Sequence, residues 1–296
     1  MIETIVQVHN KDQINQFKEK SCRYFCVTTS FLSSSVEHFS SFDEIIEIEK
    51  EVKKDDLKIG LMINRLIMER EFSAFEDELN SILQKTSFDF FIVSDVGVMF
   101  YLQSLYNVPV FFHSDTTIAN VHDALIILDN GASKIMPARE LTLKKKLEIT
   151  SELSDQAMLP IFGYQIMSKS YRPLLTNYFH QIQREGLVKF KKHYFKEDKR
   201  EQYFIGFEDD HGFSMFSDHV VDLIDEKNQL EDNNCKFGWI DASFIEDEII
   251  GDVIAYFHDA ISKDMLIKTL EKYSSHHNFS KGLNYTDTNL AKEKTI

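Results

Sequence analysis

The sequence predicts an α/β protein, specifically a TIM-like (β/α)8 barrel with a subdomain inserted between its seventh and eighth strands. Three observations carry this expectation. Short apolar runs alternate with stretches of helical periodicity along most of the chain. Several of those runs finish in polar residues at their carboxyl ends, where parallel α/β folds carry their sites. The alternation also breaks once, over residues 163 to about 232, in a segment too long for one crossover. A doubly wound open sheet is the alternative arrangement of the same elements.

The strands are expected at Glu3–Val8, Tyr24–Thr28, Lys58–Asn64, Phe90–Ser94, Val108–Phe112, Ser133–Met136, Ala157–Phe162 and Cys235–Ile240. Each is a short run dense in β-branched, aromatic or long aliphatic residues. Helical spacing of apolar residues links them. Ile45, Ile46, Ile48 and Val52 mark one helix, Phe72, Phe75, Leu79 and Leu83 a second, and Leu141, Leu143, Leu147 and Ile149 a third. A further helix over Ala119–Leu128 stops at Asn130-Gly131, a C-cap pair. Four prolines and ten glycines leave little room for long linkers, and no internal repeat is visible. Residues 1–275 therefore read as one domain that includes the insertion. The stretch 276–296 reads as a polar, extended C-terminal tail.

Composition sets the outer limits. The chain has 296 residues, 43% hydrophobic and 27% charged, enough for one large core. A net charge of −15 argues against nucleic-acid binding through the overall field, but not against a local basic site. Three cysteines, Cys22, Cys26 and Cys235, cannot build a disulfide framework, which points to a reducing compartment. No run approaches the roughly 18 apolar residues of a membrane span, and the N-terminus lacks signal-peptide character. A cytoplasmic protein without membrane association is the expectation. Cys22 and Cys26 form a CxxxC that cannot supply four metal ligands alone, and Cys26 reads as core. The pair His276-His277 reads as solvated tail. No metal site is expected.

The most informative stretch is VPVFFHSDTTIANVHDALIILDNGASKIMPARELTL. It reads as a βαβ unit whose strands end in His113-Ser114-Asp115-Thr116-Thr117 and in Arg139-Glu140. Other strand ends supply Asn64, Asp95 and Asp241. In a barrel, Asn64, Asp95, Asp115, Thr116, Arg139, Glu140 and Asp241 would converge on one mouth. There Arg139 could hold a carboxylate or phosphate, with the acids as bases or hydroxyl anchors. The same residues also suit a structural ion pair closing the barrel, and sequence does not separate the two readings. No GxSxG, P-loop or HExxH pattern is present.

The insertion has halves of opposite charge. Residues 184–200, REGLVKFKKHYFKEDKR, set seven basic residues against three acids, with aromatics interleaved. Residues 201–252 carry fifteen acids and two lysines. Lys189, Lys191, Lys192, Tyr194, Lys196 and Arg200 form a pattern suited to single-stranded RNA, neutralising phosphates and stacking bases. A solvated face, or a strip paired with the following acidic half, is the other reading.

Several stretches carry a family resemblance: FIVSDVGVM, HSDTTIAN, GASKIMPARELTL, FGYQIMSKSYRPLLTNYF, FEDDHGFSMFSDHVVDLID and WIDAS. Through them, residues 88 to about 262 resemble the collagenase-like peptidases, family thirty-two of the unassigned-mechanism peptidases. Within that family the chain is most similar to the tRNA hydroxylation branch, in its smaller-paralogue form. The resemblance implies a TIM-like barrel with an insertion. It also implies a part in forming 5-hydroxyuridine at the tRNA wobble position, with prephenate as co-substrate. Arg139 and the retained Arg172 become candidate anion contacts, and the basic–aromatic segment a tRNA contact. The departures are specific. The family's His-Gly is Phe162-Gly163 here, and the strand-eight Lys is Trp239. Ile166 and Ser170 lie where cluster-binding relatives have cysteines. The resemblance therefore implies no iron–sulfur cluster or other cofactor held by this chain alone, and a larger, cysteine-bearing paralogue as partner. A peptidase or peptide-binding protein, and an interaction scaffold with a degenerate mouth, remain as alternatives.

Overall fold

The computed structural model describes residues 1–184, 186–196, 198 and 202–286. The elements run β1 (Glu3–Gln7), α1 (Lys11–Glu19), β2 (Tyr24–Val27), α2 (Phe42–Lys54), β3 (Lys58–Ile63), α3 (Phe72–Leu83), β4 (Phe90–Val93), α4 (Val96–Leu105), β5 (Val110–Phe112), α5 (Val121–Asp129), β6 (Lys134–Ile135), α6 (Leu143–Leu153) and β7 (Met158–Ser170). Then follow α7 (Leu174–Gln181), β8 (His193–Phe195), β9 (Phe204–Asp209), β10 (Gly212–Asp222), α8 (Lys227–Asp232), β11 (Phe237–Ile240), α9 (Asp247–Phe257), α10 (Lys263–Lys272) and β12 (Phe279–Ser280). This is an α/β fold built on one curled sheet. β1 to β6 pair in sequential order, all parallel, and β1 also pairs in parallel with β11, which pairs in parallel with β7. A parallel bridge from Ile135 to Ala157 brings β6 against the residue before β7. The order does not reverse at a switch point, as a doubly wound sheet would require.

Strand alternation divides the apolar residues into two cores. One face carries Ile5, Cys26, Met62, Phe90, Ile92, Phe111, Met158 and Trp239, which cluster together on the inside of the curl. The other face, with Val6, Phe25, Leu61, Phe91 and Phe112, packs against helix residues such as Phe17, Ile48, Phe75 and Leu102. Gly60 is required by the inner core: a side chain there would meet the Phe90 ring, 2.1 Å from an added Cβ. Helix starts are secured locally. Asn10, Ser41, Asn120, Thr142 and Ser262 each accept a hydrogen bond from the third residue on, and Ser41 with Glu44 completes a capping box. Gly131 follows the Asn130 cap at φ +104°, the left-handed geometry that ends α5.

β7 is 13 residues long and joins two parts of the one sheet. Its first part pairs in parallel with β11, up to Phe162. From Phe162 to Ser170 it pairs antiparallel with β10. β10 then pairs with β9 and β9 with β8, giving an antiparallel extension off the parallel strands. Buried Glu208 of β9 accepts the Leu175 and Thr176 backbone N–H groups at 2.8 and 3.2 Å, fixing the first turn of α7.

The segment expected to be an extended polar tail is partly docked. β12 pairs with β10 at Val220 and Val221. His277 is only 7% exposed and bonds the Tyr164 hydroxyl at 2.9 Å and Glu246 at 2.5 Å. Lys281 reaches Asp222, Asp225 and Glu226, and buried Asn284 accepts from buried Lys146 at 2.8 Å. A polar segment docks this way because its polar groups find specific partners, so burial strands none of those side chains. The rest of that tail, residues 287–296, lies outside the described residues. No helix among the described residues is long and apolar enough to cross a membrane.

Phe90 is the test of the inner core. Its ring stacks on Phe111 at 4.7 Å and covers Gly60. Phe90→Ala is expected to lower the unfolding free energy by about 3–5 kcal/mol. This would appear as a reduced urea midpoint at unchanged slope; an unchanged midpoint would mean the inside of the curl is not a packed core.

Candidate functional site

The carboxyl ends of the parallel strands surround a cavity of about 80 Å³. Of the residues expected from sequence to converge, Asn64, Asp115, Arg139 and Asp241 line it. Four others are placed elsewhere. Asp95 caps α4, accepting from Gly97 N at 2.7 Å and Val98 N at 3.3 Å. Thr116, Glu140 and Arg172 are exposed and outside the cavity wall. A strand-end acid and a helix-capping acid occupy the same place in a βα unit, which is why Asp95 read as a site residue.

Three further residues join the site, of which His113 belongs to the strand-end run already noted. His113 closes β5, its N–H donating to Val93 O at 2.8 Å. Lys169 comes from the antiparallel part of β7 and reaches back over the cavity, its Nζ 2.6 Å from Ser34 Oγ. Trp239 forms the floor, 3% exposed, with its ring 6.0 Å from that of His113. His113 was visible within the HSD run, and Lys169 lies inside the YQIMSKSYRP stretch. Nothing in the linear spacing brings that lysine to the strand ends.

Two cations, Arg139 and Lys169, share the lining with two acids, Asp115 and Asp241. Arg139, 15% exposed, places Nη1 3.1 Å from Asp115 Oδ1, an ion-pair contact. The approach is too far off line for a hydrogen bond, so buried Nη1 has none. Burial lowers the Lys169 ammonium below its ordinary value, against the pull of Asp115 and Asp209. Burial also lowers the His113 imidazole below its ordinary value, opposed by Asp115, with Arg139 and Lys169 adding to the lowering. His113 Nδ1 is buried without a protein partner. A guanidinium, an ammonium and an imidazole thus face one cavity, and Arg139 and His113 have hydrogen-bonding atoms without a partner.

Asp241 sits opposite. Its Oδ1 accepts from Ser243 N at 2.9 Å, and its backbone presses on Gly163. A Cβ at Gly163 would lie 2.7 Å from the Asp241 carbonyl oxygen, and Gly163 holds φ +134°. Only glycine fits where β7 changes partners. Asn64 is locked by two hydrogen bonds to the Ser34 backbone, at 2.9 and 3.0 Å, so it holds the overlying loop. Cys22, Cys26 and Cys235 are buried in the core, and none lines the cavity. Burial pushes the Cys22 and Cys235 thiols up to about 12.

Of the basic–aromatic set, Lys189 pairs with Asp210 at 2.8 Å. Lys191, Lys192, Tyr194 and Lys196 are exposed on or beside β8, and Arg200 lies outside the described residues.

Residues 24–291 match the model of Peptidase family U32. The chain is 21% identical over 240 residues to the tRNA hydroxylation protein P2 of Bacillus subtilis strain 168, covering 79% of this chain and 77% of that one. It is also similar to the solved structure of a U32 peptidase, with TM-score 0.50 and 11% identity over 81% of this chain and 92% of that chain. That second likeness is one of fold.

Burial, followed by the Ser243 contact opposing it, raises the Asp241 carboxyl to about 6. The folded state then holds this proton more tightly than the unfolded chain. The cost of its charge is full above about pH 6, shrinks as pH falls, and is gone below about pH 4. Asp241→Asn is expected to raise the unfolding free energy by about 1–3 kcal/mol at pH 8 and not at pH 4. Denaturant titrations at both pH values check this; an equal effect at the two would contradict it.

Proposed function

The chain belongs to peptidase family U32, and from that premise we propose that it serves tRNA hydroxylation as a subunit that binds a small organic anion and contacts tRNA. The carrying observation is the set of Arg139, Lys169 and His113 around one cavity, with unmade hydrogen bonds on two of them. The name of the Bacillus subtilis relative supports the pathway. Prephenate, which bears two carboxylates, is the anion we assign, as hydroxyl source for 5-hydroxyuridine at the wobble position. We read the curled sheet as a TIM-like (β/α)8 barrel, with the Ile135–Ala157 bridge as its closure and β8 to β10 as its insertion.

The residues support anion binding better than peptide hydrolysis. The cavity's serines are engaged otherwise: Ser35 with Ser214, Ser94 with the His113 carbonyl, Ser114 with Thr117. No serine, threonine or cysteine among the described lining residues bonds to a histidine ring nitrogen, so the described lining shows no activated nucleophile. An iron–sulfur cluster does not fit this cavity, which has no thiol. We assign any such cluster to a second, cysteine-bearing chain. Within this subunit, Arg139 and Lys169 would hold the carboxylates. His113 would donate or accept a hydrogen bond, and Asp241 could exchange a proton near neutral pH.

Two measurements test this reading. Nucleoside analysis of tRNA from a deletion strain is expected to show loss of 5-hydroxyuridine derivatives, restored by the wild-type gene and not by Arg139→Ala. Unchanged derivatives in a strain without a redundant pathway would sink the assignment. Separately, prephenate near a hundred times its Kd is expected to raise Tm by about 5 °C or more. Arg139→Ala and Lys169→Met should abolish the shift. Cleavage of gelatin by the purified chain, lost in a point mutant, would favour the peptidase reading instead.

A further inference from the structure

A second cavity, of about 540 Å³, opens beside the first on the insertion. Its size is that of a small-molecule site. Its walls come from five parts of the chain: β7 through Tyr164, β8 and β9 with residues beside them, β10 through Asp218, the segment after β11 through Phe244 and Glu246, and the docked C-terminal segment. Tyr164 lines both cavities and so forms the partition between them.

The strand geometry of β8 sorts the basic–aromatic segment by side. His193 and Phe195 are half-buried, packing on Phe179 and Phe213. Lys192, Tyr194 and Lys196 alternate with them and are exposed. β8 pairs only with β9 among the described strands, so this Lys-Tyr-Lys face lies on a sheet edge. Tyr194 is 61% and Tyr203 55% exposed, and both line the cavity. Lys192 Nζ lies 5.6 Å from the Phe244 ring and Lys196 Nζ 5.6 Å from the Tyr203 ring. The cavity's carboxylates are engaged: Glu246 with His276 and His277, Asp218 with His219 at 2.6 Å.

We propose that this cavity takes an unpaired nucleobase of single-stranded RNA, stacked on Tyr194 and Tyr203, with Lys192 and Lys196 on the flanking phosphates. Exposed aromatic faces beside lysines are what sequence-tolerant base stacking requires. An aromatic-lined cavity is too large for a lone anion, and the engaged carboxylates leave the lysines as the available charge. The base would sit one side chain away from the anion cavity, with Tyr164 between them. Buried Tyr164 is held by His277, itself held by Glu246, so the partition is fixed by a hydrogen-bonded chain. The inference rests on the reading that this protein contacts tRNA, and it names where.

Fluorescence anisotropy of the full chain with a labelled five-nucleotide oligo(U), and with a tRNA transcript, tests it. Tyr194→Ala and Tyr203→Ala are expected to weaken oligo(U) binding about tenfold each. Lys192→Ala and Lys196→Ala should each reduce the salt slope by about 0.7. Phe100→Ala, an exposed aromatic on α4, should leave both quantities unchanged. If the tyrosine variants bind oligo(U) as tightly as the wild type while tRNA is still bound, the pocket is overturned and the tRNA reading stands. If a gelatin peptide displaces oligo(U) and loses affinity in the same tyrosine variants, the cavity is a peptide site and the proposal fails. Absence of any RNA binding overturns the proposal, and unchanged hydroxyuridine in the deletion strain would then remove the tRNA reading as well. Circular dichroism checks that each variant is folded.

Discussion

The change of partners at Phe162-Gly163 is the constraint on which the rest of the molecule depends. Up to that point β7 is one more parallel strand beside β11. Beyond it the same strand runs antiparallel to β10. The backbone can turn this way only because Gly163 adopts φ +134° against the Asp241 main chain. Through that turn β7 carries Tyr164 and Lys169 over the strand ends. It also seats the β8–β10 extension beside the mouth. Both cavities owe their walls to it.

Electrostatics then distinguishes the mouth from the remainder of the surface. A chain of net charge −15 repels anions on average. The cavity instead gathers two cations, Arg139 and Lys169, beside Asp115 and Asp241, among groups too buried to be screened well by solvent. Asp115 moderates the field without fully saturating the guanidinium, whose Nη1 remains unbonded. Trp239 and Phe162 stand where a lysine and a histidine are usual for the family. The positive charge therefore enters from Arg139 at the end of β6 and from Lys169 on β7, and not from the β11 strand.

Much of this was legible in the sequence, and the remainder was hidden for identifiable reasons. The eight parallel strands and the helices α2, α3, α5 and α6 followed from apolar periodicity, with ends shifted by a few residues where Pro109 and the polar strand ends blur the signal. Asn64, Asp115, Arg139 and Asp241 were readable because strand ends converge in any curled parallel sheet. Asp95 misled because capping and catalysis call for the same acid. The strands β9 and β10 stayed hidden, since the run FEDDHGFSMFSDHVVD reads as polar and acidic although Glu208 and Asp209, on opposite faces of β9, are both buried; Lys169 stayed hidden because it lies on the part of β7 that pairs with β10. His277 was hidden in the polar tail, because its partners Tyr164 and Glu246 are remote in the sequence.

The docked C-terminal segment also bears on how the fold is completed. β12 lies on β10, and His276, His277 and Asn278 wall the outer cavity. Lys146, buried in α6, finds its acceptor only at Asn284. A chain that stops short of residue 275 has neither that acceptor nor the outer cavity's last wall. A copy ending before β12 would leave Val220 and Val221 of β10 without that strand partner.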